Sequence, residues 1–177
     1  MPDVLLVVDM LRGFLEPGRA LYCGDDARDI IPAVRELVEE QRRSGSRVIF
    51  VCDTHRPNDL EFRMFPPHCI GGTEEPEVIP ELADLATERL EKTRYSAFFG
   101  TDLDGRLAEA RPPLVAVCGV CTDICVMHTV ADARNRDYEV RVPAWCVASF
   151  DANAHAWALD HMEHILGARV ERMPVSA

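Results

Sequence analysis

The stretch Leu114-Val115-Ala116-Val117-Cys118-Gly119-Val120-Cys121-Thr122-Asp123-Ile124-Cys125 runs from β-branched apolar residues through a polar turn into helical spacing. Residues 114–118 read as a strand buried on both faces, and residues from about 123 to 136 as the helix that follows it. Working outward, the same alternation recurs. Residues 4–8 (VLLVV) and 47–52 (RVIFVC) read as buried strands, with residues 88–92, 139–142 and 168–171 as further strands. Between the first two, Ile31, Val34, Leu37, Val38 and Gln41 mark one face of a helix over residues 27–43, which Gly45 closes. Thr101 and Asp104 are spaced as a capping box for a helix to about residue 110. Asp151 or Asn153 caps a last helix carrying Ala154, Trp157, Ala158, Met162 and Ile165. Strands alternating with helices predict an α/β fold: a three-layer sandwich with a six-stranded, mostly parallel sheet and helices on both faces. The length of 177 residues suits one domain, residues 1–177.

Composition narrows the partners. A net charge of −11 leaves no basic stripe for nucleic acid and disfavours an anionic membrane surface, so a small molecule is the expected partner. Seven cysteines, an odd number with several in or beside apolar runs, fit buried thiols in a reducing compartment better than a disulfide framework. The apolar run at residues 4–8 is too short for a signal peptide or a membrane span. A soluble, cytoplasmic protein is expected.

In parallel α/β sheets ligands bind beyond the carboxyl ends of the strands. Asp9, Asp53, Lys92 and the segment after Cys118 all fall there. Cys125, placed near the start of a helix, is expected to feel the positive end of the helix dipole, which favours thiolate. A carboxylate can take the thiol proton and an ammonium can lower the thiol pKa, so Asp9 and Lys92 complete a candidate catalytic set. Backbone N–H groups of the same turn can hold an oxyanion. The long Pro-rich loop over residues 53–80 opens with Asp53-Thr54-His55, where carboxylate and imidazole point the same way in extended chain. His68 and Glu61 can complete a mixed N/O set for Zn²⁺, Mn²⁺ or Fe²⁺.

Asp9 in VVDM, Lys92 in EKTRYSAF and the segment GVCTDICV together resemble the isochorismatase-like cysteine hydrolases over nearly the whole chain. The resemblance implies that Asp9, Lys92 and Cys125 form the catalytic triad. It implies an oxyanion hole from the backbone N–H groups of Cys121 and Cys125, and a cis peptide between Val120 and Cys121. Within these hydrolases, D-x-H followed by Phe65-Pro66-Pro67-His68-Cys69 is similar to the nicotinamidase (pyrazinamidase) branch. That branch implies a divalent ion, zinc first and manganese or iron as alternatives, held by Asp53, His55 and His68. Glu61 joins them by its place seven residues before His68. Phe14 and Phe65 match aromatic positions that sandwich a pyridine ring, and the activity implied is cleavage of a nicotinamide-like amide through a cysteine thioester. Family members are commonly dimers or tetramers, which implies a homo-oligomer.

Three features depart from the branch. Leu11 and Arg12 stand where Gln-Asn is usual, the stretch from Lys92 to Ser96-Ala97-Phe98 is short, and Cys121 replaces a frequent Ala. They leave room for another amide hydrolase of the superfamily, acting on a carbamoyl, ureido or maleamate-like substrate. A non-catalytic metal or ligand-binding module, or a thiol sensor using Cys121 and Cys125, is the reading from a different class. His128, His155, His161 and His164 are read as surface or satisfied structural residues, and Trp145 and Trp157 as core or interface anchors. Cys23, Cys69, Cys118 and Cys146 are assigned no chemistry.

Overall fold

The computed structural model describes residues 3–173. Its centre is β1 (Val4–Val8), whose five residues are all buried, as an apolar run with no polar alternation requires. On one side it pairs with β2 (Arg47–Asp53) and on the other with β4 (Val115–Val120), with Val4 opposite both Arg47 and Val115. β3 (Arg89–Lys92) extends the sheet beyond β2, and β5 (Val140–Pro143) and β7 (Arg169–Glu171) extend it beyond β4. Every pairing is parallel. A seventh strand, β6 (Val147–Ala148), pairs with the end of β4 and adds to the six expected.

Side chains alternate between two cores. Leu5, Val7, Phe50 and Cys118 pack with Val34 and Val38 of α3 (Ile31–Arg43). Val4, Leu6, Val8 and Val117 pack on the opposite face. There they meet Leu107 of α5 (Leu103–Ala110), Val130 of α6 (Met127–Arg134) and Met162 of α7 (Ala152–His164). The three expected layers are present. Among the described residues no helix is long and apolar enough to cross a membrane.

Several boundaries differ from expectation. The helix expected over residues 27–43 is two, α2 (Asp25–Arg28) and α3. Pro32 in the first turn of α3 has no N–H to continue a helix from upstream, but starts a new one well. The segment after β4 opens as a π-turn (Thr122–Val126) before α6, so Cys125 lies inside that turn rather than in the first turn of an α-helix. The residue capping α5 is Asp102, not Thr101; Thr101 Oγ1 takes the Leu103 N–H at 3.2 Å and donates to Ala97 O. Asp151 caps α7 by accepting from Ala154 N–H at 2.8 Å. The long loop is pinned by bridges His55 to Ile70 and Leu11 to Val78, with a 3-10 turn at Leu60–Arg63. Trp157 is 56% exposed and stacks on His161, and Trp145 is also exposed, so neither belongs to the core.

Candidate active site

Because β1, β2, β3 and β4 all run parallel, their carboxyl ends share one edge. Register places Asp53 directly opposite Lys92. Asp9 follows β1 with φ 51°, a left-handed conformation that Asp tolerates better than most residues, and its N–H donates to Val51 O. Gly119 makes the close approach of β4 to β1 possible: at φ 110°, a Cβ there would sit 2.0 Å from Val8 O. The Val120–Cys121 peptide that follows is cis.

Lys92 Nζ is the hub. It lies 2.9 Å from Asp9 Oδ2, donates to Asp53 Oδ1 at 2.9 Å, and approaches Cys125 Sγ at 3.5 Å. All four residues are buried. Burial alone would push the ammonium down, but the charges of Asp53 and Asp9 outweigh it and hold Lys92 well above its ordinary value. Burial raises Asp9, with Lys92 opposing and Asp53 adding to the rise. Asp53 goes the other way: burial pushes it up, but Lys92, His55 and His68 together hold it below the usual carboxylate range.

At Cys125 burial works against the expected thiolate. Burial pushes its thiol well above the ordinary value; Lys92 pulls down as foreseen, but Asp9 and Asp53 add to the rise. The sulfur accepts a hydrogen bond from Lys92 Nζ at 3.5 Å. Asp9 and Cys125 both lie against Lys92 Nζ, so a carboxylate is at hand to take the thiol proton.

A second cluster shares Asp53. Its Oδ2 lies 2.8 Å from His55 Nε2 and 3.2 Å from His68 Nε2, and Glu61 Oε1 is 3.9 Å from both nitrogens. All four side chains are buried, and one ligand atom of each falls within 4.8 Å of the others. His68 Nδ1 donates to Pro66 O at 2.8 Å, which leaves Nε2 as the lone-pair nitrogen facing inward. Glu61 Oε2 is buried with no hydrogen-bond partner among the described residues. Two imidazoles and two carboxylates converging with an unsatisfied oxygen fit a divalent cation.

Both clusters line one pocket, walled by Phe14 and Phe65 and reaching Asp9, His68 and Cys125. Residues 3–172 match the Isochorismatase domain family. The chain belongs to the isochorismatase family. Nicotinamidase PncA from Bacillus subtilis superposes with a TM-score of 0.91 at 38% identity, covering 96% of this chain and 99% of that one. Pyrazinamidase of Pyrococcus horikoshii in complex with zinc gives 0.89 at 30% identity, covering 98% and 100%. N-carbamoylsarcosine amidase from Thermoplasma acidophilum gives 0.87 at 36% identity over the whole of both chains.

In this isochorismatase-family chain the structure brings Asp9, Lys92 and Cys125 together, and separately Asp53, His55, Glu61 and His68. Phe14 and Phe65 line the same cavity. Cys121 also faces it, and its Sγ lies 3.5 Å from Cys23 Sγ. Its backbone N–H has no partner among the described residues, while its carbonyl accepts from Ile124 and Val126 N–H. Sequence reasoning missed four further walls: Leu21, Tyr95, Ile124 and Phe150. Tyr95 follows Lys92 by three residues and was reachable by tracing β3 past its end. Phe150 follows β6, a strand too short to carry a pattern, and Leu21 has no signal of its own.

Proposed function

We propose that the protein is a cysteine amidohydrolase that converts a nicotinamide-like pyridine carboxamide into its acid and ammonia. One observation carries this reading: a buried ammonium lies within 3.5 Å of a thiol and 2.9 Å of a carboxylate, beside an aromatic-walled cavity. Asp9, Lys92 and Cys125 are the catalytic residues, and Phe14 and Phe65 clamp the ring.

Asp9 takes the Cys125 proton as sulfur adds to the amide carbonyl, and Lys92 balances the charge that forms. Backbone N–H groups of Cys121 and Cys125 receive the oxyanion. Asp9 returns the proton to the nitrogen, ammonia leaves, and a Cys125 thioester remains. Water then attacks the thioester, giving its proton to Asp9, and collapse releases the acid and the thiol. The raised Asp9 carboxyl suits an acid–base role. Asp53, His55, His68 and Glu61 would hold a divalent ion, zinc first, which would supply Lewis acidity toward a ring nitrogen. The donor set and the zinc in the Pyrococcus protein support this assignment.

The chain works as a single domain, in the cytoplasm and as a homo-oligomer; seven free cysteines support a reducing compartment. The test is ammonia release from nicotinamide, pyrazinamide and N-carbamoyl compounds with added Zn²⁺ or Mn²⁺. Pyridine carboxamides should be preferred, and Cys125→Ala should lower the rate by at least about three orders of magnitude. Release from N-carbamoyl compounds alone would move the substrate class; a near-normal Cys125→Ala rate would remove the mechanism.

A further inference from the structure

His55 offers its two ring nitrogens to different carboxylates. Nε2 faces Asp53 inside the cluster, while Nδ1 points away to Asp59 Oδ2 at 3.1 Å. The ring is fully buried and Nδ1 has no aligned hydrogen-bond partner among the described residues, so Asp59 is the acceptor within reach. The other Asp59 oxygen is engaged twice: Glu61 N–H donates to Oδ1 at 2.9 Å and Arg94 at 2.8 Å. One carboxylate thus touches the ring of one cluster residue and the backbone of another. Through Arg94 it also ties both to the segment two residues beyond Lys92.

We propose that Asp59 is a positioning residue for the divalent-ion cluster, holding the proton of His55 on Nδ1 and fixing Glu61 at the head of its 3-10 turn, with Arg94 locking Asp59 in place. This rests on the metal reading above. A neutral imidazole carries one N–H, and an acceptor at Nδ1 leaves Nε2 free to donate its lone pair. Carboxylates behind metal-bound histidines orient the ring and raise its basicity, and losing one costs about 10–100-fold in affinity.

A purely capping role for Asp59 would be met equally by asparagine. Asp59→Asn keeps an oxygen for Glu61 N–H and Arg94, but turns an NH₂ toward His55 Nδ1 and so favours the wrong tautomer. The experiment strips metal from wild type, Asp59→Asn and Arg94→Met and titrates each with Zn²⁺ against a chromophoric chelator. The Co²⁺ absorption spectrum serves as a second readout, and thermal unfolding of the stripped proteins reports folding. Wild type should bind. Asp59→Asn should bind about 10–100-fold more weakly, with an altered Co²⁺ spectrum, and Arg94→Met should weaken in the same direction by less. Wild-type affinity in Asp59→Asn overturns the inference. Should that variant fail to fold, unchanged affinity in Arg94→Met overturns it instead. If wild type binds neither ion, the metal reading itself falls.

Discussion

The backbone N–H of Asp53 donates to Asp9 Oδ1 at 2.8 Å, and both side chains then turn to a single ammonium. The two clusters are therefore joined at their acids. Asp53 spends Oδ1 on Lys92 and Oδ2 on the two imidazoles, so the carboxylate shared with the histidine cluster also sets the charge around the thiol.

The Cys125 thiol should titrate above its ordinary value, and the sign of the Asp9 contribution can be read directly. Burial raises the thiol most, Lys92 lowers it, and Asp9 raises it further. Thiolate therefore appears only as pH climbs past that raised value. Alkylation of Cys125 by iodoacetamide in chelator-treated protein should keep rising above pH 9 instead of levelling off near neutrality. Asp9→Asn removes a raising charge, so the rise should move to lower pH and alkylation at pH 8 should quicken. Amide hydrolysis should meanwhile fall about 10²–10⁴-fold, the usual worth of a general base. Slower alkylation of Asp9→Asn at every pH, followed by adduct mass, would contradict this account of Asp9.

Lys92→Met tests the same charges through stability. The side chain is fully buried and faces two carboxylates, which the substitution strands without their cation. Breaking a buried pair from one side costs about 3–5 kcal/mol. Urea unfolding in the presence of chelator should show a loss of that order with little change in m-value. A loss below about 1 kcal/mol would mean that the buried charges are not balanced as described.

How much of this was legible depends on range. Val4–Val8 and Val115–Val120 announce themselves because a strand covered on both faces carries no polar alternation. Asp9, Asp53 and Lys92 follow from one rule about strand ends. Two-residue β6 is too short to have a period, and the π-turn around Cys125 shares its apolar spacing with a helix. Pro32 carried a readable sign of the break between α2 and α3. The raised Cys125 thiol was not readable, since it reflects depth of burial and a second carboxylate, Asp53, brought in from another strand. Asp59 was invisible for a similar reason: its significance lies in which nitrogen of His55 it faces.

Metal removal should separate binding from chemistry. Dialysis against chelator should abolish hydrolysis of pyridine carboxamides, and added Zn²⁺ or Mn²⁺ should restore it. His68→Ala removes one of two inward nitrogens and opens a side of the cluster, so its metal affinity should fall by at least about 100-fold, beyond the effect of losing an outer partner. Cys125 should remain alkylatable in both cases, because the thiol and Asp9 are held by Lys92 and not by the ion. Full activity after exhaustive chelation, with metal content measured, would reject the metal assignment.

Gly119→Ala probes the joint between β1 and β4. At φ 110° an alanine is strained before any contact is counted. Its Cβ would also meet Val8 O at 2.0 Å, with Val8 C and N at 2.8 and 2.9 Å, and these are backbone atoms of the central strand with no rotamer to escape into. Relief requires β1 and β4 to separate at the edge where Asp9 and Cys121 emerge. A destabilisation of at least about 4 kcal/mol is expected, in the range reserved for severe core damage, and a fall in Tm of about 10 °C or more. Hydrolysis should suffer with it. Gly105→Ala in α5 is the control: nothing lies within 4 Å of its Cβ, and alanine is the better helix former. That variant should be neutral or gain about 0.5–1 kcal/mol. Equal stability of the two variants would show that the approach of β4 to Val8 does not set the geometry of the site.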